Sequence, residues 1–281
     1  MAALSVHAEI RQQALRGVLS IMEQTKTENL SANRRIPAID YLRGAALIYM
    51  VCYHILFDLA FVIPTEWGKA AYYANENIVI FDTSSFILLA GISCAFSRSN
   101  LRRGGRLLPI AMAFTAVTAF FFPGEAIYFG ILHLMSVGMV LYGAFDSFFK
   151  KLPAALMIPL CAVIFTLTYY VSNGFVGIKG WFELPLPQEL LTNNLLYPFG
   201  FIKGGFMSVD YVPLLPWLFL FLGGAYIGGL IVKYREKLPA FCFADPLPWL
   251  GFIGRHTLIV YVLHQPIILA VLYAVEFIFG S

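Results

Sequence analysis

Residues 40–58, DYLRGAALIYMVCYHILFD, form an apolar run that carries four ionisable side chains: Asp40, Arg43, His54 and Asp58. About 20 apolar residues in a helix cross the hydrocarbon core of a bilayer, so this run predicts a membrane span. At about 100° per residue, the steps from Arg43 to His54 return to within about 20° of the same direction. Asp58 follows His54 by one turn, and Asp40 precedes the arginine by nearly one turn, which puts all four groups on one stripe. Because charges are costly in lipid, the stripe must face the interior of a helix bundle.

The composition of the whole chain excludes a water-soluble globule. Of its 281 residues, 59% are hydrophobic and only 12% are charged, about half the usual charged share. The apolar residues form long continuous runs and do not alternate with polar ones, which indicates helices and not an outer-membrane barrel. The net charge of +3 comes from residues at the ends of the runs and forms no basic face, so we expect no nucleic-acid partner.

These runs predict an all-α fold, a polytopic transmembrane helical bundle of about seven spans. The predicted spans are Asp40–Val62, Ile78–Ser97, Arg106–Phe122, Ile127–Phe145, Pro153–Ser172, Val212–Val232 and Gly254–Phe279. Residues 1–35 contain no continuous apolar core and predict a cytoplasmic N-terminal tail or surface helix, whereas 36–281 form the transmembrane domain. In the sixth span, Gly224 and Gly228 predict a seam of small residues for close helix packing.

Basic residues are distributed unequally between the two sets of connecting segments. One set includes Arg98, Arg102, Arg103, Arg106, Lys150, Lys151, Lys233, Arg235 and Lys237. The other set holds Lys69, Lys179 and Lys203. By the positive-inside rule, the N-terminus is cytoplasmic and the C-terminus is external.

The outer half of the predicted bundle gathers several polar side chains. His54 lies roughly 16 Å from the cytoplasmic end of the stripe, and Asp58 lies one turn farther out. An aspartate at this spacing can accept the imidazole N–H and raise the basicity of His54; a buried pair that merely holds helices together is the alternative. Asp82, His133 and Asp210 lie near the external ends of three other spans and complete a predicted acceptor pocket. For His133, a hydrogen-bonded core histidine is an equal alternative.

The arginines near the cytoplasmic ends of the spans allow two interpretations. In the first, they are topogenic charges that meet anionic lipid headgroups. In the second, Arg43, Arg98 and Arg255 form a phosphate-binding mouth for a nucleotide-like donor, with Asp40 beside Arg43.

The last predicted span also carries polar groups near mid-membrane. Tyr261 and Gln265 lie on one stripe with His264 beside it, and Pro266 opens the helix backbone there, either to line a cavity or as a simple kink. We assign His264 and Gln265 to donor binding. The histidines lie on different spans without HxxxH or HExxH spacing, and the four cysteines form no CxxC pair, so we expect no metal site.

Several motifs follow one another in an order that resembles a known family. RIPAIDYLRG at 35–44 and MVCYHILFD at 50–58 resemble the opening of the heparan-α-glucosaminide N-acetyltransferase catalytic-domain family. The resemblance continues through FILLAGIS at 86–93, YFGILH at 128–133, DYVPLLPW at 210–217, GRH at 254–256 and YVLHQP at 261–266. It covers most of the chain and is closest to the compact bacterial branch. The ten residues between Arg43 and His54 also match the related acyltransferase-3 membrane proteins.

The resemblance implies an acyl-CoA-dependent acyltransferase of the bacterial cytoplasmic (inner) membrane, with the lipid bilayer as a partner. Its donor substrate would be cytoplasmic acetyl-CoA or another acyl-CoA, and its acceptor would be a sugar or glycan hydroxyl or amine on the external side. In this family role, His54 would deprotonate the acceptor or carry the acyl group transiently, and Asp58 would orient it. Arg43 and Asp40 would meet the CoA end of the donor. A homodimer is compatible with the sequence.

A different function class fits the same residues. In a small-solute transporter or proton-coupled permease, His54, Asp58, Asp82 and His133 would form a proton relay. A transferase is stabilised by CoA thioesters, whereas a transporter responds to its solute, so ligand-dependent stability separates the two hypotheses. A third hypothesis is an enzyme relic retained as an interaction or scaffold protein, and the intact Arg43 and His54 argue against it.

Overall fold

The computed structural model describes residues 35–75 and 79–279, and the predicted all-α membrane fold is confirmed. The predicted N-terminal tail or surface helix lies outside the described residues, apart from its last residue. In chain order, the α-helices are α1 (Pro37–Phe61), α2 (Glu66–Asn75), α3 (Val79–Cys94), α4 (Asn100–Phe121), α5 (Ile131–Ala144), α6 (Asp146–Phe149), α7 (Ala154–Thr168), α8 (Gln188–Thr192), α9 (Leu214–Lys233), α10 (Pro248–Arg255) and α11 (Thr257–Phe279). Short 3-10 turns lie at Pro123–Glu125, Val171–Asn173, Asn194–Phe199, Arg235–Lys237 and Ala240–Phe243. An antiparallel hairpin joins β1 (Phe175–Ile178) to β2 (Phe182–Pro185), with Phe175 opposite Pro185.

Five helices in the described part of the chain are long and apolar enough to cross a membrane. They are Pro37–Phe61, Asn100–Phe121, Ala154–Asn173, Leu214–Lys233 and Thr257–Ile278. Helix α2 and the segment Ile80–Cys94 of α3 make a sixth span if this pair, which is bent by 58°, is counted as one. Helix α5 has 14 residues and is about 21 Å long, short of a hydrocarbon core about 30 Å thick. The structure therefore supports five or six spans, fewer than the seven predicted, although a helix occupies each of the seven predicted segments.

Helix α5 begins later than the predicted fourth span because residues 126–130 before it are not helical and bend at Tyr128 and Phe129. Val212 N–H donates to Phe129 O at 2.9 Å and so pairs this segment with the chain that leads into α9. Gly130 is the last residue of this segment and is itself extended, with φ −90° and ψ −174°. A Cβ at Gly130 would lie 2.5 Å from Asp210 Oδ2, so the close approach of the two segments requires glycine there. A short apolar run does not distinguish such a non-helical segment from a first helical turn.

Helices α3 and α9 touch backbone to backbone along the predicted small-residue seam. A Cβ at Gly91 would lie 2.0 Å from Phe221 O, and one at Gly224 would lie 2.3 Å from Leu88 O. A Cβ at Gly228 would also lie 2.3 Å from the backbone of α3. The seam is confirmed, and any larger side chain would push the two helices apart.

The short helix α10 lies across the first turns of α1. A Cβ at Gly44 would lie 2.3 Å from Leu250 O, and one at Gly254 would lie 1.9 Å from Asp40 O. Pro37 begins α1 at a position where a missing backbone N–H costs no helical hydrogen bond. The start of α1, which carries one end of the polar stripe, is therefore covered by α10.

Candidate active site

The imidazole rings of His54 on α1 and His264 on α11 lie side by side. Their centroids are 4.7 Å apart and their planes are inclined by 56°, which is close contact for an aromatic pair. His264 Nδ1 lies 2.6 Å from Tyr261 O. Since a carbonyl oxygen only accepts, Nδ1 carries the hydrogen, and Nε2 of the neutral ring holds a lone pair. This Nε2 is buried and has no hydrogen-bond partner among the described residues.

The carboxylate of Asp58 binds the last helix. Both of its oxygens accept from Gln265 Nε2 at 3.0 Å, and Asp58 is fully buried at 0% exposure. In the described part of the chain, neither ring nitrogen of His54 hydrogen-bonds to Asp58; the partner of Asp58 in the structure is Gln265, and a direct action of Asp58 on His54 stays a prediction. The spacing of two residues on one helix gives their common face but does not select a partner on another helix. Gln265 Oε1 is buried without a partner among the described residues.

Asp210, in the link before α9, joins the start of α5 to the last helix. Its Oδ2 accepts from Tyr261 OH at 2.8 Å and from Ile131 N–H at 3.2 Å. Burial raises the pKa of Asp210 from its ordinary 3.8 to about 6, although these two hydrogen bonds act in the opposite direction. Its backbone has a φ of 55°, a left-handed conformation that aspartate tolerates better than most residues. Asp210 is thus connected to α11 about one turn from His264.

His133 is engaged in a local hydrogen-bond network at the start of α5. Its Nδ1 accepts from Gly130 N–H at 3.3 Å, which leaves the hydrogen of a neutral ring on Nε2. That nitrogen lies 3.2 Å from Thr115 Oγ1, which in turn donates to Ile127 O at 2.7 Å. Of the two alternatives for His133, the structure shows the hydrogen-bonded core histidine. Both ring nitrogens have partners, and its place in the acceptor pocket stays a prediction.

Asp82 lies in the first turn of α3 and is half-buried. It interacts electrostatically with Tyr49 on α1, whose hydroxyl is buried without a hydrogen-bond partner among the described residues. Asp82 therefore faces the helix that carries His54, but no hydrogen bond within the described ranges joins it to the two imidazoles.

At the other end of α1, Asp40 holds two guanidinium groups. Its Oδ2 accepts from Arg35 Nε at 2.6 Å and its Oδ1 from Arg43 Nη1 at 3.2 Å, while Asp40 itself is only 4% exposed. Arg43 also donates through Nη2 to Ser93 Oγ on α3. Arg103 Nη1 donates to Ser93 O at 3.4 Å. Three arginines are thus gathered around one buried carboxylate and one serine.

Two further arginines predicted for donor binding lie at this same end of the bundle and are exposed. Arg98 is in the link between α3 and α4, and Arg255 is the last residue of α10. The guanidinium of Arg255 lies 5.9 Å from the ring centroid of Phe252. Nearby, Tyr41 OH donates to Asp245 and fastens the segment before α10 to α1. Among the described residues, neither Arg98 nor Arg255 bonds to Asp40 or Ser93, the partners of Arg43.

We call Arg35, Arg43 and Arg103, together with the Asp40 carboxylate that holds the first two, the cationic cluster. This cluster lies at one end of the polar stripe of α1. The two imidazoles in contact lie about 16 Å from Arg43 along the helix axis. The family model described as "Heparan-alpha-glucosaminide N-acetyltransferase, catalytic" matches residues 35–266. The chain belongs to this family. The match begins at Arg35, which binds Asp40, and ends at Pro266, directly after His264 and Gln265. We find no curated protein and no solved structure that matches the chain.

Membership in this N-acetyltransferase family confirms the resemblance that the motifs carry, and it implies an acyltransferase embedded in a membrane. Every residue that the sequence assigned to the site lies within the matched range. Across residues 35–75 and 79–279, no group of three or more His, Cys, Asp or Glu side chains is placed to hold a metal ion.

Sequence reasoning did not assign four residues that the structure places in these networks: Arg35, Ser93, Arg103 and Thr115. Arg35 had a signal, because it is a basic residue five positions before Asp40 at the mouth of the first span. Ser93 had a weaker signal as the polar end of the motif FILLAGIS. Thr115 had none, since its bond to His133 depends on the packing of α4 against α5.

Proposed function

We propose that this chain is an integral-membrane acyltransferase that takes an acetyl or other acyl group from cytoplasmic acyl-CoA. Its acceptor is a hydroxyl or amine of a sugar or glycan on the external side of a bacterial cytoplasmic membrane. The observation that carries the proposal is the stripe of α1, which runs from the Asp40–Arg43 cluster to His54 in contact with His264, in a chain of this family. A single helix thus connects a cationic site suited to phosphate groups with a site suited to proton transfer.

The proposal includes a topology in which the N-terminus is cytoplasmic and the C-terminus is external, as the positive-inside rule predicts. This topology needs an odd number of crossings. Seven crossings result if the bent pair α2–α3 is one and the short helix α5 is another. The cationic cluster then faces the cytoplasm, and the link that contains Asp210 faces the outside.

The phosphate groups of the donor would meet the cationic cluster. Guanidinium groups form paired, charge-assisted hydrogen bonds with phosphate oxygens, and Asp40 already holds Arg35 and Arg43 close together. The exposed Arg98 and Arg255 at the same end would extend this mouth to the rest of the CoA moiety. The acyl thioester would then reach along α1 toward the imidazoles.

His54 is the proposed catalytic residue. The acceptor oxygen or nitrogen forms a bond with the thioester carbonyl carbon while the carbon–sulfur bond breaks. The acceptor proton passes to His54 and then to the departing thiolate, which leaves as the free thiol of CoA. A two-step route in which His54 first carries the acyl group uses the same imidazole. Asp58 supports this site through Gln265, and Asp82 and Asp210 belong to the acceptor side.

Thermal unfolding of the detergent-purified protein tests the donor assignment directly. Acetyl-CoA and CoA at about a hundred times their dissociation constants should each stabilise the protein by roughly 2.7 kcal/mol, whereas ATP, as a nucleotide control, should not. Arg43→Gln should lose this shift. A folded protein that ignores both CoA compounds but is stabilised by a small solute would contradict the proposal and favour a transporter.

The catalytic assignment is tested by the thiol that acetyl-CoA releases in the presence of glucosamine or glucose. His54→Ala should lower this rate by about 100-fold or more, the usual contribution of a general base. The same variant should keep the acetyl-CoA-induced rise in melting temperature, because its cationic cluster is intact. An unchanged rate in His54→Ala would remove His54 from the mechanism.

A further inference from the structure

A base that takes a proton from a substrate must present an unprotonated nitrogen to it. A neutral imidazole has one N–H and one lone pair, and the group that accepts the N–H decides which nitrogen acts as the base. The contacts of the His54 ring in the described residues are ring contacts, with centroids 5.8 Å from Tyr53 and 4.7 Å from His264. Asp58, the acceptor expected from the sequence, has both oxygens on Gln265. Because no hydrogen bond joins His54 to Asp58 among the described residues, the acceptor for the N–H of His54 has to come from another side chain.

His264 can supply that acceptor. Its Nδ1–H is directed to Tyr261 O at 2.6 Å, so the lone pair of the neutral ring is on Nε2. This nitrogen is buried and unpaired in the part of the chain that the structure describes, which is costly for a polar atom. The ring that carries it is already in contact with His54, with the two centroids 4.7 Å apart, so an N–H of His54 that turns toward this ring is within reach of the lone pair.

We propose that His264 is a positioning residue of the reaction centre: its Nε2 accepts the N–H of His54 and leaves the other nitrogen of His54 free to take the acceptor's proton. This inference rests on the proposed function, and it replaces the donor-binding role that the sequence suggested for His264. When His54 has taken the proton, it is an imidazolium whose inner N–H still bonds to Nε2. The proton then leaves from the outer nitrogen to the thiolate of CoA, and His54 returns to its starting tautomer.

The position of His264 is fixed by hydrogen bonds on both sides of it along α11. The next residue, Gln265, donates to the buried Asp58 of α1. One turn earlier, Tyr261 donates to Asp210 in the link before α9. The first bond connects α11 to α1 and the second connects it to the link before α9, and together they fix the rotation and the height of α11, as a partner that orients a catalytic side chain requires.

Two substitutions of His264 separate positioning from packing. His264→Gln places an amide oxygen where it can accept the N–H of His54, whereas His264→Phe keeps the ring and its packing but has no acceptor. In acetyl-CoA turnover with glucosamine, we expect kcat to fall by about 100-fold or more in His264→Phe, because a base in the wrong tautomer loses up to about 10⁴-fold. We expect His264→Gln to retain at least about a tenth of the wild-type kcat. KM for acetyl-CoA should be unchanged in both variants.

The test is decided by which of the two variants has the higher kcat. If His264→Phe is as active as His264→Gln or more active, His264 only packs, and the inference is wrong. If both variants are folded but acetyl-CoA no longer raises their melting temperature, His264 binds the donor. This result would also overturn the inference that His264 positions His54. A failure of the proposed function would give a different result from a failure of this inference. The wild type would then release no thiol from acetyl-CoA, and His54→Ala would release none either.

Discussion

The substitution Asp58→Asn tests whether the buried carboxylate of α1 acts through its charge or through its hydrogen bonds. Both Asp58 oxygens accept from Gln265 Nε2 at 3.0 Å, while Gln265 Oε1 is buried without a partner among the described residues. Asparagine keeps one acceptor oxygen and adds an NH₂ group. A turn of the Gln265 amide about its soft terminal torsion brings Oε1 opposite that NH₂. The contact then becomes a reciprocal pair of amide hydrogen bonds.

Asp58→Asn should therefore leave the free energy of unfolding unchanged or raise it by about 1 kcal/mol, the net contribution of one hydrogen bond. The variant also has no charge to bury at a position with 0% exposure. Asp58→Leu is the matched control, since it has a similar size but no polar atom. It leaves the amide of Gln265 buried and unpaired, which costs about 1–3 kcal/mol for each unsatisfied group. The two variants should differ by at least about 1 kcal/mol.

Thermal unfolding in detergent measures this difference, because 1 kcal/mol corresponds to roughly 2–4 °C for a chain of this size class. Asp58→Asn should melt at or above the wild-type temperature and Asp58→Leu clearly below it. If Asp58→Asn melts as low as Asp58→Leu, the charge is what holds the helices, and the hydrogen-bond reasoning is refuted. Acyl transfer gives the second readout: a positioning role predicts a rate for Asp58→Asn within about tenfold of wild type.

Two further predictions concern the packing of α10 against α1 and the charge of Asp210. Gly254→Ala puts a Cβ 1.9 Å from Asp40 O and should lower the free energy of unfolding by about 1–3 kcal/mol. Gly229→Ala is a helical control, because a Cβ there meets no other described part of the chain within 4 Å, and it should raise the free energy of unfolding by about 0.5–1 kcal/mol; equal melting temperatures would contradict the α1–α10 contact. Burial raises the pKa of Asp210 to about 6, so ionisation of this carboxyl lowers the free energy of unfolding of the wild type as pH rises from about 4 to about 6. Asparagine does not ionise, so a variant with Asn at position 210 lacks this loss. Asp210→Asn should therefore gain stability relative to the wild type over this pH interval. The shift in pKa limits this gain to about 3 kcal/mol, and solvent screening of the half-buried carboxyl makes it smaller. A difference in melting temperature that does not change with pH would contradict this prediction.

The parts of the structure that the sequence predicted well are those decided within one helix. Hydropathy over a single run predicts that the run is a helix, and spacing along it predicts which side chains share a face. The stripe of α1 from Asp40 to His54 and the glycine seam at Gly224 and Gly228 are of this kind. The gathering of Arg43 with Asp40 follows equally from their separation of three residues.

The partners of these side chains could not be predicted, because they lie on distant segments of the chain. Asp58 bonds to Gln265, which is 207 positions later, and not to its neighbour on α1. Periodicity gives the direction of a side chain but not which helix stands opposite or at what height. The late start of α5 could not be predicted for the same reason, because the segment before it is held by a hydrogen bond from Val212, which lies just before α9.

The position of His264 in the candidate active site depends on the polar contacts of the last helix, α11. Only 6% of the most apolar 18-residue stretch of α11 is buried inside the protein. Lipid tails are as apolar as its side chains, so apolar burial gives α11 little preference for one rotation or depth over another. The hydrogen bonds of Gln265 to Asp58 and of Tyr261 to Asp210 are directional, and they therefore decide where His264 stands. A substitution that breaks either bond should lower kcat by displacing His264, even though neither bonded pair touches the reacting atoms.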